Sequence, residues 1–286
     1  MKKALIITGV VLLLLAGLTV LSAWYSATHF TVTRYEIAAP LDQALRLVQL
    51  SDLHGNEYGE NNCDLLRSVR ELQPDMIMLT GDMINADEDS IQPLLELIGK
   101  LREIAPVWLC YGNHETSWMT ARGEDLRPRL EQAGATVLEA EYVDLERGGD
   151  RIRIAGYAGY YRDPIMTTKE GKQQDAELQF ADDFEATDSY KILLEHVPTT
   201  WMDWKYLGTY DVDLILCGHY HGGQIRLPLI GGIYAPYIGW FPRFTKGLYQ
   251  KNGSSMVLSA GLGTQKNIPR INNPGELVCI DLVPEK

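Results

Sequence analysis

The chain has 286 residues, of which 45% are apolar and 22% charged, a composition typical of a folded globular protein with one large domain or two small ones. Its formal net charge of −12 argues against a nucleic-acid-binding protein, which needs a basic face to displace counterions from phosphate. Small anionic substrates are not excluded, because bound cations reverse the local field of an acidic site.

The N-terminal segment predicts a membrane anchor. An uncharged apolar run extends from Ala4 to Trp24, and about 20 such residues cross the hydrocarbon core of a bilayer as a helix. The run exceeds the ~7–15-residue core of a cleaved signal peptide, which favours an uncleaved anchor over a signal sequence. Lys2 and Lys3 precede it and Arg34 is the first basic residue after it. The positive-inside rule therefore predicts a single-pass protein of the cell membrane with an extracytoplasmic body.

Three regions are predicted along the chain: a short tail and anchor at 1–24, a linker with a first extended segment at 25–44, and one folded domain at 45–286. In the first half of the domain, short apolar runs alternate with amphipathic segments. They predict strands at 45–50, 76–80 and 107–111, and helices at 61–73 and around 91–101. This alternation indicates βαβ units and a largely parallel sheet.

The second half of the domain predicts more antiparallel pairing. Hairpins are expected around Gly148-Gly149-Asp150 and around Asn252-Gly253, and a last strand at 276–283. Residues 162–189 are polar and poorly periodic, which predicts an exposed excursion. The pattern as a whole indicates an α/β fold with mixed strand pairing.

Side chains that bind metals stand at the predicted strand ends. Of the six histidines, five follow an apolar run directly or within a few residues: His54, His114, His196, His219 and His221. A single histidine in such a place is more often structural than a ligand, so the indication comes from the ordered set. Ligands bind beyond the carboxyl ends of strands in open α/β sheets. Imidazole combined with carboxylate suits zinc, iron or manganese, whereas an all-oxygen set suits magnesium or calcium.

The ordered set resembles the signature of the calcineurin-like metallophosphoesterases. The matching blocks are Asp52-x-His54, Gly81-Asp82, Gly112-Asn113-His114-Glu115, His196 and Gly218-His219-x-His221. The resemblance covers the chain from about residue 45 onward. It implies an α/β fold, a two-sheet mixed β-sandwich flanked by helices, here preceded by one transmembrane helix. It also implies an enzyme that hydrolyses phosphoester bonds with two divalent metal ions, for which Mn²⁺, Fe²⁺ or Zn²⁺ is expected.

The resemblance further implies a role for each matching residue. Asp82 would bridge the two metal ions. The first site would be completed by Asp52, His54 and His221, and the second by Asn113, His196 and His219. Together with Asp82, His114 would be catalytic, facing the substrate as an imidazolium that stabilises the transition state or protonates the leaving oxygen. Glu115 or another carboxylate would orient that histidine.

The anchor combined with Gly-His-x-His-Gly-Gly-Gln-Ile at 218–225 resembles a bacterial membrane-associated branch of the family. Some relatives in that branch hydrolyse the pyrophosphate of UDP-diacylglucosamine, and others are connected with the cell envelope. This implies cleavage of a phosphodiester or pyrophosphate bond in a small-molecule or lipid-linked substrate. Because UDP-sugars are cytoplasmic and the body is expected outside, the nucleotide-lipid activity is kept as a specific alternative within the enzyme class. Two further alternatives stay open: a phosphomonoesterase or phosphoprotein phosphatase, and a non-catalytic metal-binding scaffold. No protein partner is evident.

A broken apolar stretch follows the last histidine. It contains Ile230, Ile233, Tyr234, Tyr237, Ile238, Trp240, Phe241 and Phe244, interspersed with glycine and proline. Two interpretations are open: an apolar rim beside the metals that suits a lipid or membrane surface, or a loop packed on its own domain.

Overall fold

The computed structural model describes residues 1–159, 173–202, 206–235, 238–264 and 268–285. The helices in this part of the chain are α1 Lys2–Thr28, α2 Cys63–Leu72, α3 Gln92–Arg102, α4 Asn113–Arg122, α5 Arg127–Ala133, α6 Gln173–Glu185 and α7 Thr199–Met202. The strands are β1 Phe30–Ala39, β2 Leu45–Leu50, β3 Met76–Thr80, β4 Val107–Cys110, β5 Ala135–Val137, β6 Glu141–Arg147, β7 Asp150–Tyr157, β8 Tyr190–Glu195, β9 Leu214–Cys217, β10 Ile225–Leu227, β11 Gly231–Ala235, β12 Gly239–Trp240, β13 Gly247–Lys251, β14 Ser254–Leu258 and β15 Gly275–Pro284.

Two six-stranded sheets form the body. The first has the order β1-β15-β2-β3-β4-β5 and the second the order β13-β14-β9-β8-β7-β6, while β10, β11 and β12 form a small separate sheet. One apolar cluster fills the space between the large sheets, with Leu47 and Met78 from the first and Ile192 and Leu216 from the second. Further clusters lie under α2–α5 and under α6–α7. The predicted two-sheet sandwich flanked by helices is confirmed.

Parallel strands form the centre of each large sheet. The pairs β2/β3 and β3/β4 are parallel in the first sheet, and β7/β8 and β8/β9 in the second. Strands covered on both faces need apolar side chains at every position, which explains the continuous runs Met76–Thr80 and Leu214–Cys217. Antiparallel pairing enters at the predicted hairpins β6/β7 and β13/β14.

Residues 25–44, the predicted linker and first extended segment, contain the end of α1 and the strand β1. Helix α1 continues to Thr28, and β1 begins one residue later and pairs parallel with β15 along ten residues. The first sheet therefore begins at residue 30, and only His29 separates the helix from β1 in the sequence. Polar and apolar residues alternate along β1 because it is an edge strand with one solvated face.

The predicted excursion at 162–189 is wrong for its second part. Gln173–Glu185 is helix α6, and Phe180 and Phe184 are buried against the second sheet. These two side chains, four residues apart, give the helix its apolar face within an otherwise polar sequence. Residues 160–172 lie outside the described part of the chain.

Candidate metal centre

The metal-binding side chains follow the carboxyl ends of strands from both large sheets. They are Asp52 and His54 after β2, Asp82 after β3, Asn113 and His114 at the start of α4, His196 after β8, and His219 and His221 after β9. Because the sheets pack face to face, these loops meet in one place. The structure thus brings together the residues that the sequence singled out.

Asp82 lies at the centre of the group. Its Oδ2 atom is 3.0 Å from Nε2 of His196 and 3.8 Å from Nε2 of His54. Nε2 of His114 is 4.0 Å from the same oxygen. The other carboxylate oxygen accepts the backbone N–H of His114 at 2.8 Å, which fixes the start of α4, and with it Asn113, beside Asp82.

Among the described residues, three sets of three side chains each have donor atoms that all lie within 4.8 Å of one another. They are Asp52 with His54 and His221, His54 with Asp82 and His114, and Asp82 with His196 and His219. The first set contains three of the four ligands implied for the first site, without Asp82, and the third set contains three of the four implied for the second, without Asn113. The middle set joins them, since it shares His54 with one and Asp82 with the other.

The donor atoms fit divalent cations. Both ring nitrogens of His54, Nε2 of His221 and Oδ1 of Asn113 are buried, and none has a hydrogen-bond partner among the described residues. Buried polar atoms are nearly always paired, because an unpaired one costs about 1–3 kcal/mol. Lone pairs of imidazole, carboxylate and amide oxygen that face one small space suit borderline divalent metals.

Burial keeps most of the histidines in the form that binds metal. It lowers the pKa of His54 to about 4 and the pKa of His219 to about 3, and it holds the pKa of His221 well below its usual value. These imidazoles are therefore neutral near pH 7, as ligands must be. Burial also acts to raise the pKa of Asp82, but the neighbouring His196 outweighs it, so the pKa lies below the usual range and the carboxylate is ionised.

His196 differs from the other three. Burial lowers its pKa, yet the adjacent Asp82 and Asp52 outweigh that effect and raise the pKa to about 10. A proton on this ring balances the two carboxylates, and a cation that binds here has to displace it. Metal affinity is therefore expected to fall as the pH falls.

Left-handed backbone is concentrated at the candidate ligands. The φ angles are 50° at Asp52, 49° at His54, 53° at Asp82, 75° at His219 and 47° at His221. Non-glycine residues rarely adopt this region, and each costs of order 1–3 kcal/mol when held there. Backbone hydrogen bonds across the strand ends hold it, such as His54 N–H to the Asp82 carbonyl at 3.0 Å.

Two glycines are required by close approach. A Cβ atom at Gly112 would collide with the carboxylate of Asp82, and one at Gly218 would collide with the side chains of Ser51 and Asp52. The absence of a side chain lets neighbouring strand-end loops come close to each other around Asp52 and Asp82.

Glu115 holds the loop after β3. Its buried carboxylate accepts backbone N–H groups of Asp82 at 2.8 Å, Gly112 at 2.9 Å, Met83 at 2.7 Å and Ile84 at 3.2 Å. Burial first, and then repulsion from Asp82, raise the pKa of Glu115 to about 7. Glu115 thus fixes the backbone that carries Asp82, instead of orienting the ring of His114 as predicted.

The ring of His114 is oriented by the backbone. The N–H of Ala86 donates to Nδ1 of His114 at 3.0 Å, which requires a lone pair on that nitrogen. The ring proton then lies on Nε2, the nitrogen nearest Asp82. Nε2 is thus the nitrogen of His114 that can donate toward the space beside Asp82, and the predicted role of the ring as an imidazolium stays a prediction. Its side chain is 22% exposed, compared with 1% for His54.

Arg270 and Asn273 support the loop after β9 but were not singled out from the sequence. They lie about 50 residues beyond the last histidine and belong to no recognisable motif. The amide of Asn273 donates to the carbonyl of His221 at 2.7 Å. The guanidinium of Arg270 is fully buried, donates through Nε to the Gly263 carbonyl at 2.7 Å and lies 3.3 Å from Nδ1 of His221. Both hold the loop after β9 in place.

Residues 45–223 match the profile of the calcineurin-like phosphoesterase family. The match spans more than half of the chain and includes every candidate ligand, so the chain belongs to this family. Its members are metal-dependent phosphoric ester hydrolases, and the predicted family and enzyme class are confirmed.

Three relatives show how similar the chain is to named proteins of the family. Phosphodiesterase YaeI of Escherichia coli is 26% identical over 263 residues, which is 89% of this chain and 88% of that protein. The metallophosphoesterase YkuE of Bacillus subtilis is 32% identical over 231 residues, 76% of this chain and 72% of that protein. A bovine transmembrane protein with a metallophosphoesterase domain is 27% identical over 226 residues, 76% of this chain and 48% of that protein.

Proposed function

We propose that the chain is a membrane-anchored phosphoesterase that uses two divalent metal ions to hydrolyse phosphodiester or pyrophosphate bonds. The observation that carries the proposal is the pair of buried donor sets linked through Asp82 and His54. Asp82 would be the ligand shared by the two ions. One site is completed by Asp52, His54 and His221, and the other by Asn113, His196 and His219. Mn²⁺, Fe²⁺ or Zn²⁺ suits these mixed nitrogen and oxygen donors.

The residues of the chain position the reaction. When bound, two divalent cations would supply Lewis-acid charge and would make a water molecule nucleophilic near neutral pH. His114 presents Nε2–H toward the same space from its more exposed side, where it donates to a phosphoryl oxygen or to the leaving oxygen. The N–H of Ala86 holds the ring in that orientation. Glu115 keeps the loop of Asp82 fixed throughout.

The apolar helix α1 is the observation that supports a substrate located at the membrane. Helix α1 is 27 residues long, and none of its most apolar 18-residue stretch is buried against the rest of the protein. This is expected of a helix that spans a membrane. The name of the bovine relative also records a transmembrane protein. We therefore favour an envelope or lipid-linked phosphoester as the substrate, with the body on the extracytoplasmic face of the cell membrane. UDP-diacylglucosamine, a cytoplasmic nucleotide lipid, is the alternative substrate if the body faces the cytoplasm. The name of YaeI supports diester cleavage.

Hydrolysis of two soluble esters by the full chain in detergent tests the reaction. With Mn²⁺, bis-p-nitrophenyl phosphate should be cleaved faster than p-nitrophenyl phosphate, and EDTA should abolish both activities. Turnover of the monoester alone would favour a phosphomonoesterase. Bound metal without turnover of either ester would favour the metal-binding scaffold.

A further inference from the structure

Exposed apolar side chains outside α1 are concentrated in one part of the described chain. Beyond Val32 and Tyr142, the large hydrophobic residues that are exposed are Leu227, Leu229, Ile230, Ile238, Trp240 and Phe241. Leu229 is completely exposed, and Trp240 and Phe241 are about 70% exposed. They belong to the small sheet and its connections, residues 225–235 and 238–241, here termed the apolar lobe. A surface of this kind marks a contact with a partner or a membrane.

The base of the apolar lobe is joined to the end of α1. The N–H of Arg226 donates to the Ile271 carbonyl at 3.0 Å, and the Asn272 amide donates to the Arg226 carbonyl at 3.2 Å. The backbone N–H of Asn272 in turn donates to Oγ of Ser22 at 2.8 Å. A single backbone segment therefore separates the lobe from the helix.

The position of Ser22 sets the depth of the lobe. The apolar run of α1 ends at Trp24, so Ser22 lies within it, close to its exit from the hydrocarbon core. Hydrogen bonding places Asn272 beside Ser22, and Arg226 beside Asn272. With α1 across a bilayer, the base of the lobe lies at the bilayer surface, where tryptophan and other aromatic side chains are favoured.

The same connection reaches the metal centre. Ser26, which is buried, accepts the backbone N–H of Asn273 at 3.1 Å. The side chain of Asn273 donates to the His221 carbonyl at 2.7 Å, and β10 begins four residues after His221. The end of the helix is thus tied to the lobe through Asn272 and to the metal centre through the buried Asn273.

We propose that the apolar lobe inserts into the membrane surface beside α1 and holds the metal centre against the bilayer. The occupant of this apolar surface is lipid, because the lobe is continuous with the helix end that leaves the membrane. Phosphoesters whose apolar tails stay in the bilayer are then the substrate class with direct access, a consequence that rests on the proposed function. The packed-loop interpretation accounts only for part of the stretch, such as Phe244, which is buried. Tyr237 lies outside the described residues.

Fluorescence quenching in single-chain nanodiscs tests the insertion independently of catalysis. In full-length Cys63→Ser protein, which lacks the exposed native thiol, Phe241→Cys and Tyr142→Cys each receive a polarity-sensitive probe. Tyr142 is a matched control, because it is an exposed aromatic residue on β6 at an edge of the second sheet. Phosphatidylcholine with a spin-labelled acyl chain should quench the probe at 241 several-fold more than the probe at 142. Equal quenching of the two probes would overturn the proposal. A probe at 241 that senses an apolar environment only in discs holding two copies of the protein would also overturn it, because the lobe would then contact a second copy and not lipid.

Activity separates this inference from the proposed function. The double variant Trp240→Glu, Phe241→Glu should cleave bis-p-nitrophenyl phosphate in detergent as fast as the parent. It should cleave hexadecyl p-nitrophenyl phosphate in phosphatidylcholine vesicles about ten-fold more slowly, because two charged side chains oppose insertion. Equal rates on the vesicle substrate would count against insertion while leaving the reaction intact. If the parent protein showed no metal-dependent cleavage of either substrate, the proposed function would be contradicted. The quenching result would still stand, because it does not depend on catalysis.

Discussion

Individual residues of the metal centre depend on unusual local backbone. The candidate ligands with left-handed φ angles are held there by hydrogen bonds between neighbouring strand ends, as at Asp52, whose N–H donates to the Gly81 carbonyl at 3.0 Å. Aspartate tolerates this region better than most residues, and β-branched side chains tolerate it poorly. A residue at one of these positions therefore has to tolerate a left-handed backbone and also carry a side chain that can bind a metal.

Replacing His114 with alanine should separate catalysis from metal binding. Nε2 of His114 is a donor toward the reacting space and the residue is not a proposed ligand, so turnover of the diester should fall about 100-fold or more while metal content is retained. Steady-state kinetics and metal analysis of the same sample measure both. His29→Ala is the control, since His29 stacks on Tyr25 at the end of α1. Unchanged turnover in His114→Ala would refute its catalytic role.

Gly112→Ala should disrupt the centre through one methyl group. The added Cβ would overlap the carboxylate of Asp82, so the loop has to shift and the shared ligand is displaced. We expect loss of bound metal, measured by elemental analysis after gel filtration. Gly99→Ala is the matched control, because its Cβ would meet only the Ala133 carbonyl at 4.0 Å. Metal content equal in the two variants would contradict the close-approach argument.

At the scale of elements, the short loops after the strands carry the site, and Glu115 at the start of α4 fixes the loop after β3. The residues that supply chemistry could be predicted because their loops directly follow recognisable apolar strands. Glu115 was recognised as part of a motif, but its function was not. The backbone N–H groups that Glu115 accepts are determined by how closely the ends of β3 and β4 approach each other. A sequence pattern does not contain the distance between two strand ends.

Glu115→Ala should destabilise the fold as well as the site. The substitution leaves the buried N–H groups of Gly112, Asp82 and Met83 without their acceptor, and each such loss costs about 1–3 kcal/mol. We expect the free energy of unfolding to fall by about 3 kcal/mol or more, measured by urea denaturation. The exposed Glu124, just beyond α4, provides the control. A loss no larger than in Glu124→Ala would show that the carboxylate is dispensable.

For the whole molecule, hydrophobic periodicity and strand order predicted most central strands, mixed strand pairing and the clustering of donors, whereas the two-sheet sandwich was implied by the family resemblance. It missed β1 as part of the first sheet, and helix α6. An edge strand and a peripheral helix bury few side chains, so their patterns are weak. Arg270 and Asn273 were missed for a different reason: their contacts join segments far apart in sequence.

The orientation of the whole molecule can be tested with a native thiol. Cys63 is exposed at the start of α2, whereas Cys110, Cys217 and Cys279 are buried. If the body lies outside the cytoplasm, a membrane-impermeant maleimide should label Cys63 in intact cells, or in spheroplasts where an outer membrane is present. A Cys63→Ser variant should stay unlabelled. Labelling that requires permeabilisation of the cytoplasmic membrane would reverse the proposed orientation.

The central claim is that one chain binds two divalent metal ions through a shared Asp82. The most direct measurement is the molar ratio of metal to protein in the full chain, purified without chelator and active on bis-p-nitrophenyl phosphate. We predict about two ions per chain, the number used in paired-metal phosphoester hydrolysis, and a loss at both sites in Asp82→Asn. An active chain with only one ion, or Asp82→Asn with both ions retained, would contradict the shared centre.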